Sequence, residues 1–515
     1  MAFTVLLLAA LAASWLIVVR ARRSRLPLPP GPRPWPVIGS VFDMPAQNPW
    51  VTYRQWYNRY DSDIIYVQLP LQPAIILGTY KAAIDLLDKR SNIYSSRMSS
   101  VMHELTAWDF NIGLMPYGPR WRHHRRMFHQ HFHQGVVDRF RPVQLRMTRD
   151  FLSWALKNPE HTRKLVRQLF TAIIFDVAYG KRISGMNDEY VVTAEEALAS
   201  LAAAPGVYWI EYGMPLLKHI PSWVPGMKSK KTAEKVLPLV LNMKDTPYAE
   251  VKAEVDKTTA PPSLARTMIE NIRSRYGGTP NEVVYDEVAK NVAGIAYAAA
   301  AETTTSSAQS FLLAMAMFPD VQKKAQAELD KVVGPDRLPD YDDIEQVTYI
   351  RALVLETMRW LPAAAAGVPH ALIADDEYKG YHIPKGSVVI PDAWAMLHNP
   401  ADYPKPEQFK PERYLDQHGN IDSTVMDPTI IAFGFGRRIC PGRHFSNNSL
   451  AIFIASTLQV FDISAGLDDH GTPVELSNEV IGGLIIAPRV VPCGLKPRSE
   501  AAIRLILEAQ TAEEL

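Results

Sequence analysis

Phe433-Gly434-Phe435-Gly436-Arg437-Arg438-Ile439-Cys440-Pro441-Gly442 is the stretch on which the reading of this 515-residue chain turns. It sets one cysteine in a glycine-studded loop, with aromatics and two arginines before it and Pro-Gly after it. Glycine permits positive φ and close approach of the backbone to a flat partner. The arginines and nearby backbone N–H groups are expected to lower the thiol pKa, and Pro441 closes the turn ahead of a helix. A lone thiolate suits a haem iron, because the porphyrin already fills the plane around the metal. Zinc would demand more protein ligands. The plainer alternative is a structural cysteine in a tight turn.

Composition frames this loop. The chain is 47 % hydrophobic and 21 % charged, ample for a large core, and its 55 basic residues nearly balance 54 acidic ones, which argues against a nucleic-acid partner. The two cysteines are Cys440 and Cys493. Joining them would consume the proposed ligand, so a reducing, cytosolic setting is the simpler reading.

Residues 2–19 carry no charge and would cover roughly 27 Å as a helix, about the thickness of a bilayer core. Arg20, Arg22, Arg23 and Arg25 follow, which places that flank and everything after it on the cytosolic side. A cleaved signal peptide fits less well, since the basic residues trail the apolar run. Residues 1–25 are therefore read as a membrane anchor with its basic flank. The proline-rich 26–39 is read as a stiff hinge, 40–498 as one large domain, and 499–515 as a tail of helical composition.

Within the large domain, Ile64-Ile-Tyr-Val and Ala74-Ile-Ile-Leu suggest a small sheet, and most of the remainder has helical spacing. Trp121 and Arg125, four apart, would share a helix face and could address one anion. Arg120, Arg122, His123, His124 and Arg126 form either a patch for an acidic partner or a solvated helix face. Residues 287–318 read as a long helix whose middle, Ala298-Ala-Ala-Ala301-Glu302-Thr303-Thr304-Thr305, is thin enough for a large flat group to lie against. Glu356 and Arg359 sit three apart on a helix, with Arg413 later in the chain. Val368-Pro369-His370 opens a strand-turn-strand reading that reaches Gly386, and Gly482–Pro488 could be a turn entering a pocket.

The pattern Phe433-x-Gly-x-x-Arg438-x-Cys440-x-Gly442, with the other motifs in order before it, resembles the cytochrome P450 family. The resemblance implies a mainly α fold, a helix-rich body with a small β-rich region, joined here to an N-terminal transmembrane helix. It implies haem b with Cys440 as axial ligand to iron, Trp121 and Arg125 on one propionate, His370 on the second, and Arg438 also among the cofactor-binding residues. Glu302 and Thr303 take the catalytic proton-relay positions, while Ala300 stands where relatives carry glycine. Glu356, Arg359 and Arg413 would form a buried network that holds the fold.

The implied activity is monooxygenation of a mid-sized, largely apolar substrate, such as a terpenoid or aromatic intermediate of fungal secondary metabolism. Its pocket would draw on Met98 to Asn111, Ala202 to Tyr212, Ala296 to Thr303, Ala363 to Val368 and Gly482 to Ile486. Electrons would come from NADPH through NADPH–cytochrome P450 reductase, with cytochrome b5 as a second donor, to a single-pass monomer in the endoplasmic reticulum membrane. Two alternatives share the cysteine loop: a haem-thiolate isomerase or dehydratase that ignores O2, and a non-catalytic haem carrier or sensor.

Overall fold

The expected long helix spans Pro280–Met317 in the computed structural model, which describes residues 26–514 except 37, 71, 99, 186, 203–220, 225–227, 468–469 and 493. Proline opens the helix, where its fixed φ helps and its missing N–H costs nothing. Thirty-eight residues run about 57 Å, and from Val288 to Met315 most side chains are buried. A helix that is apolar all round belongs in a core. Helices Thr162–Tyr179, Lys228–Asp256 and Leu264–Tyr276 pack along it, and Pro119–Phe132 and Arg443–Val460 also contact it.

The β region is small. β1 (Ile64–Val67) and β2 (Ala74–Leu77) pair antiparallel in the small sheet expected there, with β2 buried throughout instead of alternating because both of its faces are covered. β3 (His370–Ala371), β4 (Asp376–Tyr378), β5 (Tyr381–Ile383) and β6 (Val388–Pro391) realise the strand-turn-strand reading. Lys379 and Gly380, both at positive φ, make the two-residue β4–β5 turn. β6 joins β2 in parallel and β3 antiparallel, giving the order β1-β2-β6-β3. That register carries His370 inward from the edge of the sheet. β7 (Phe461–Ser464) pairs with β10 (Gly494–Pro497), and β8 (Val480–Gly482) with β9 (Ile486–Pro488).

The anchor expected at 1–25 lies outside the described residues. Among the described residues no helix is long and apolar enough to cross a membrane. The proline-rich run from Leu26 to Gly39 lies against the sheet region. Pro30 O accepts from Tyr66 N at 2.9 Å, Pro27 O accepts from His382 N at 2.8 Å, and Pro29 and Pro32 are buried. Prolines cannot donate to a ladder, but their carbonyls still accept. At the other end, helix Glu500–Glu514 packs on Arg141–Lys157.

Behind the cysteine loop, helix Thr348–Trp360 brings Glu356 and Arg359 together with no solvent exposure. Arg359 donates from Nε to Glu356 at 2.7 Å and from Nη2 at 2.9 Å. Arg413 Nε donates at 3.1 Å, and Lys410 N adds a backbone bond at 2.7 Å. One carboxylate therefore ties the helix to the 410–413 segment, because each buried charge must be paired within reach. Replacing Glu356 with Gln leaves two guanidinium groups uncompensated and should cost about 3–5 kcal/mol. Denaturant unfolding of the parent and the Glu356→Gln protein measures that loss.

Candidate active site

The loop expected to hold a thiolate is shaped by two glycines in the left-handed region, Gly434 at φ 78° and Gly436 at φ 53°. Position 436 is constrained twice, since a Cβ there would lie 2.3 Å from Leu87 O. A short 3-10 turn at Gly436–Arg438 reverses the chain, and Cys440 N donates to Phe433 O at 2.8 Å, closing the loop on itself. Helix Arg443–Val460 leaves directly after Pro441-Gly442. Cys440 is free and half-buried.

The sulfur environment differs from the expectation. Burial raises the Cys440 thiol pKa; the Gly442 backbone, Arg125 and Arg443 act against this and do not overcome it. The two arginines that precede the cysteine point elsewhere. Arg437 Nη1 donates to Tyr117 Oη at 2.7 Å and its guanidinium stacks over that ring. Arg438 donates to Ser95 O at 2.6 Å, Ile112 O at 3.1 Å and Met115 O at 2.7 Å. Sequence adjacency misled here because a 3-10 turn throws neighbouring side chains in different directions.

One cavity of about 350 Å³ lies between this loop and the central helix, and Trp121, Arg125, Glu302, Thr303, His370, Arg438 and Cys440 all line it. The segments expected around a pocket contribute Trp108 and Asn111, Ala296 and Ala298 to Ala300, Ala363 and Ala364, and Leu484 and Ile485. Of the stretch from Ala202 to Tyr212, residues 203–212 lie outside the described residues. The alanines make the central-helix wall thin, as anticipated. Hydroxyls on that wall are mostly turned into the helix: Thr303 Oγ1 donates to Ala299 O at 3.0 Å, and Ser307 Oγ to Thr303 O at 3.3 Å. Thr304 Oγ1 instead meets Ser446 Oγ at 3.2 Å.

Cations gather on one side of the cavity. Arg438 is buried beneath Trp121, its guanidinium 4.5 Å from the ring centre, and burial with the nearby Arg125 brings its pKa down to about 9. Burial also lowers Arg125. Arg97, which the sequence reading passed over, lies at the same place. It donates to Gly113 O, Val368 O and Pro369 O at 2.8, 2.7 and 2.6 Å, and burial and Arg438 hold its pKa well down. No motif marks it; only the fold brings 97, 125 and 438 together.

Facing this charge, Glu302 is the sole carboxylate among the cavity-lining residues. It interacts with Arg167 and Glu195 rather than with this cluster, and burial raises its pKa. Trp121 Nε1 is buried without a hydrogen-bond partner, and Arg125 makes no hydrogen bond among the described residues. An orphaned donor beside three desolvated guanidinium groups calls for a dianion. The two propionates of a haem supply one, and its iron would meet Cys440, the one thiol among the cavity-lining residues. The residues present fit that group.

His370 is buried, and its Nδ1 donates to Tyr94 O at 2.8 Å. Burial, Arg97 and Arg438 hold its pKa low, so the ring is neutral and Nε2 is left as an acceptor. Only when protonated can it donate to a propionate. His124 is a correction to the expected basic patch. It is buried, with Nδ1 on Arg120 O at 2.8 Å and Nε2 on Asn291 at 3.2 Å, which leaves Arg120, Arg122, His123 and Arg126 on the surface.

Comparison with known proteins agrees with this geometry. The family model described as Cytochrome P450 matches residues 29–487. The chain is 39 % identical to "Cytochrome P450 monooxygenase COX2" of Coprinopsis cinerea, covering 97 % of this chain and 94 % of that one. It is 40 % identical to "Cytochrome P450 monooxygenase ple1" of Rhodocybe pseudopiperita, covering 93 % and 91 %. It is 36 % identical to "Tryptamine 4-monooxygenase" of Psilocybe cyanescens, covering 95 % and 96 %.

The cation cluster generates a prediction about cofactor retention. Trp121→Phe keeps the ring but removes the orphaned N–H, and haem should then transfer to apomyoglobin several-fold faster than from the parent. Arg125→Leu removes a charge-assisted donor and should speed transfer about 10–100-fold.

Proposed function

This chain belongs to the cytochrome P450 family, and on that premise we propose how its own residues serve the family's chemistry. The protein is a haem-thiolate monooxygenase. Bound haem supplies the redox chemistry that places one atom of O2 in the substrate and releases the other as water. Cys440 would hold the iron from the proximal side, its sulfur kept in place by the closed loop. Trp121 and Arg125 would hold one propionate and protonated His370 the other, with Arg97 and Arg438 neutralising both from beneath.

Proton delivery falls to Glu302 and Thr303. Both line the cavity on the thin helix wall, and Thr303 can turn its hydroxyl from Ala299 O toward a water. Burial keeps Glu302 protonated to a higher pH than an exposed glutamate, which suits a group that must donate. Ala300 in the glycine position narrows the space beside them by one methyl group. The remaining wall of alanine, leucine, isoleucine and valine excludes water and accepts a largely apolar skeleton. We take the substrate to be a terpenoid or aromatic intermediate of secondary metabolism.

Electrons would arrive from NADPH through a separate reductase, with cytochrome b5 as a second donor, at the face that exposes Arg122, Arg126 and Arg437. Residues 1–25 would anchor the monomer in the endoplasmic reticulum membrane with 26–39 as the approach to the body. The observation that carries the assignment of roles is the meeting, in one cavity, of a lone cysteine sulfur with an acid-free cluster of three arginines.

Cys440→Ser should abolish the red-shifted thiolate Soret band of the reduced, CO-treated protein. Oxygen-independent product formation would refute monooxygenation and favour an isomerase or dehydratase. Thr303→Val should keep NADPH consumption yet lower product per NADPH about tenfold, the excess appearing as peroxide. With Glu302 acting as the acid, product formation should fall as pH rises through its raised pKa. Glu302→Gln should be slow and lack that falling limb.

A further inference from the structure

Asn111 is a polar residue of the cavity wall that the chemistry above does not use, and its amide nitrogen donates no hydrogen bond among the described residues. It sits in the loop that follows the short 3-10 turn Trp108–Phe110 and is half-buried. Its Oδ1 accepts the Gly113 N–H at 2.8 Å, an Asx turn that fixes which end of the carboxamide faces the backbone. With Oδ1 so held, the amide nitrogen is the free end of the side chain, and it donates no hydrogen bond among the described residues.

The loop that carries Asn111 is held rigidly. Its own carbonyl accepts from Leu114 N and Met115 N, both at 2.9 Å. Ile112 O and Met115 O accept from Arg438, and Gly113 O from Arg97. On the other side, the Phe110 ring lies against the Gly294 turn of the central helix, one residue before the lining residues Ile295 and Ala296. A donor on so fixed a support is preorganised. Other polar groups nearby are occupied: Thr303 and Ser307 bond their own helix, Thr304 bonds Ser446, and Arg97 bonds three carbonyls.

We propose that Asn111 is a specificity-determining residue whose amide N–H binds an oxygen atom, hydroxyl or carbonyl, carried by the otherwise apolar substrate. This deepens the monooxygenase reading and rests on it. A hydrocarbon of the same shape would cover the amide without bonding it, and an unpaired buried donor is costly, so the site discriminates against the deoxygenated analogue. The oxygen then serves as the fixed end of the substrate, and the carbon presented to the cofactor is set by its distance from that end.

The experiment measures substrate-type spectral shifts of the full holoenzyme with two matched probe pairs, 1-decalone with decalin and cedrol with cedrane. Three proteins are compared. Asn111→Asp keeps the acceptor for Gly113 N–H, and hence the turn, while exchanging the donor for an acceptor. Asn111→Leu removes both. The parent should bind each oxygenated probe about tenfold more tightly than its hydrocarbon. Asn111→Leu should bring both ratios near one, and Asn111→Asp the decalone ratio, since a ketone has no proton to donate to the new carboxylate, with the thiolate Soret band intact. A ratio near one in the parent, no shift with either oxygenated probe, or a decalone ratio unchanged in Asn111→Asp would overturn the proposal. Unchanged ratios with faster haem loss from Asn111→Asp would also overturn it and assign the amide to a propionate. Absence of the thiolate band from the parent would instead sink the haem-thiolate reading itself.

Discussion

Three guanidinium groups crowd one side of the cavity while the one carboxylate among the lining residues, Glu302, faces Arg167 instead of them, and much of the structure answers that imbalance. Arg97 and Arg438 survive burial because six backbone carbonyls accept from them. Those carbonyls come from loops that would otherwise have no reason to converge: 95, 112–115 and 368–369. Neutral carbonyls satisfy the donors but not the charge. What remains is an electrostatic demand for an anion, and the site's affinity for a dianionic cofactor follows from it.

The opposite side of the cavity is built on the reverse logic. Alanines on the central helix remove side-chain bulk, hydroxyls are back-bonded, and the one carboxylate is pushed toward its neutral form by burial. The site therefore separates two environments across a short distance, one that attracts fixed negative charge and one that rejects it. Cys440 belongs to the first and Glu302 to the second. The substrate side stays dry and weakly polar, and a single oriented donor such as Asn111 weighs heavily there.

Rigidity behind the site comes from pairs that are remote in sequence. Glu356 collects Arg359, Arg413 and the Lys410 N–H, and Gly436 lets the cysteine loop touch the backbone at Leu87. The hairpin of β8 and β9 is secured through Ile486, whose carbonyl accepts from Ser306 Oγ on the central helix and whose N–H donates to Ala363 O. This places Leu484 and Ile485 in the wall. Loops that line the cavity are thus tied to helices that do not move with them in sequence.

The sequence by itself determined the elements whose signal is local. Glycines around a single cysteine, a long helix with its alanine run, Trp121 and Arg125 one turn apart, and the short apolar strands all state their form within a few residues. Their order along the chain was enough to suggest which group they serve. Only the tertiary structure decided what surrounds them. It turned Arg437 and Arg438 away from the sulfur and brought Arg125 and Arg443 toward it, buried His124, lowered the His370 pKa by burial and by Arg97, and recruited Arg97 and Asn111. The physical reason is that charge, solvation and hydrogen-bond direction depend on neighbours hundreds of residues distant, and no local pattern encodes where those neighbours will stand.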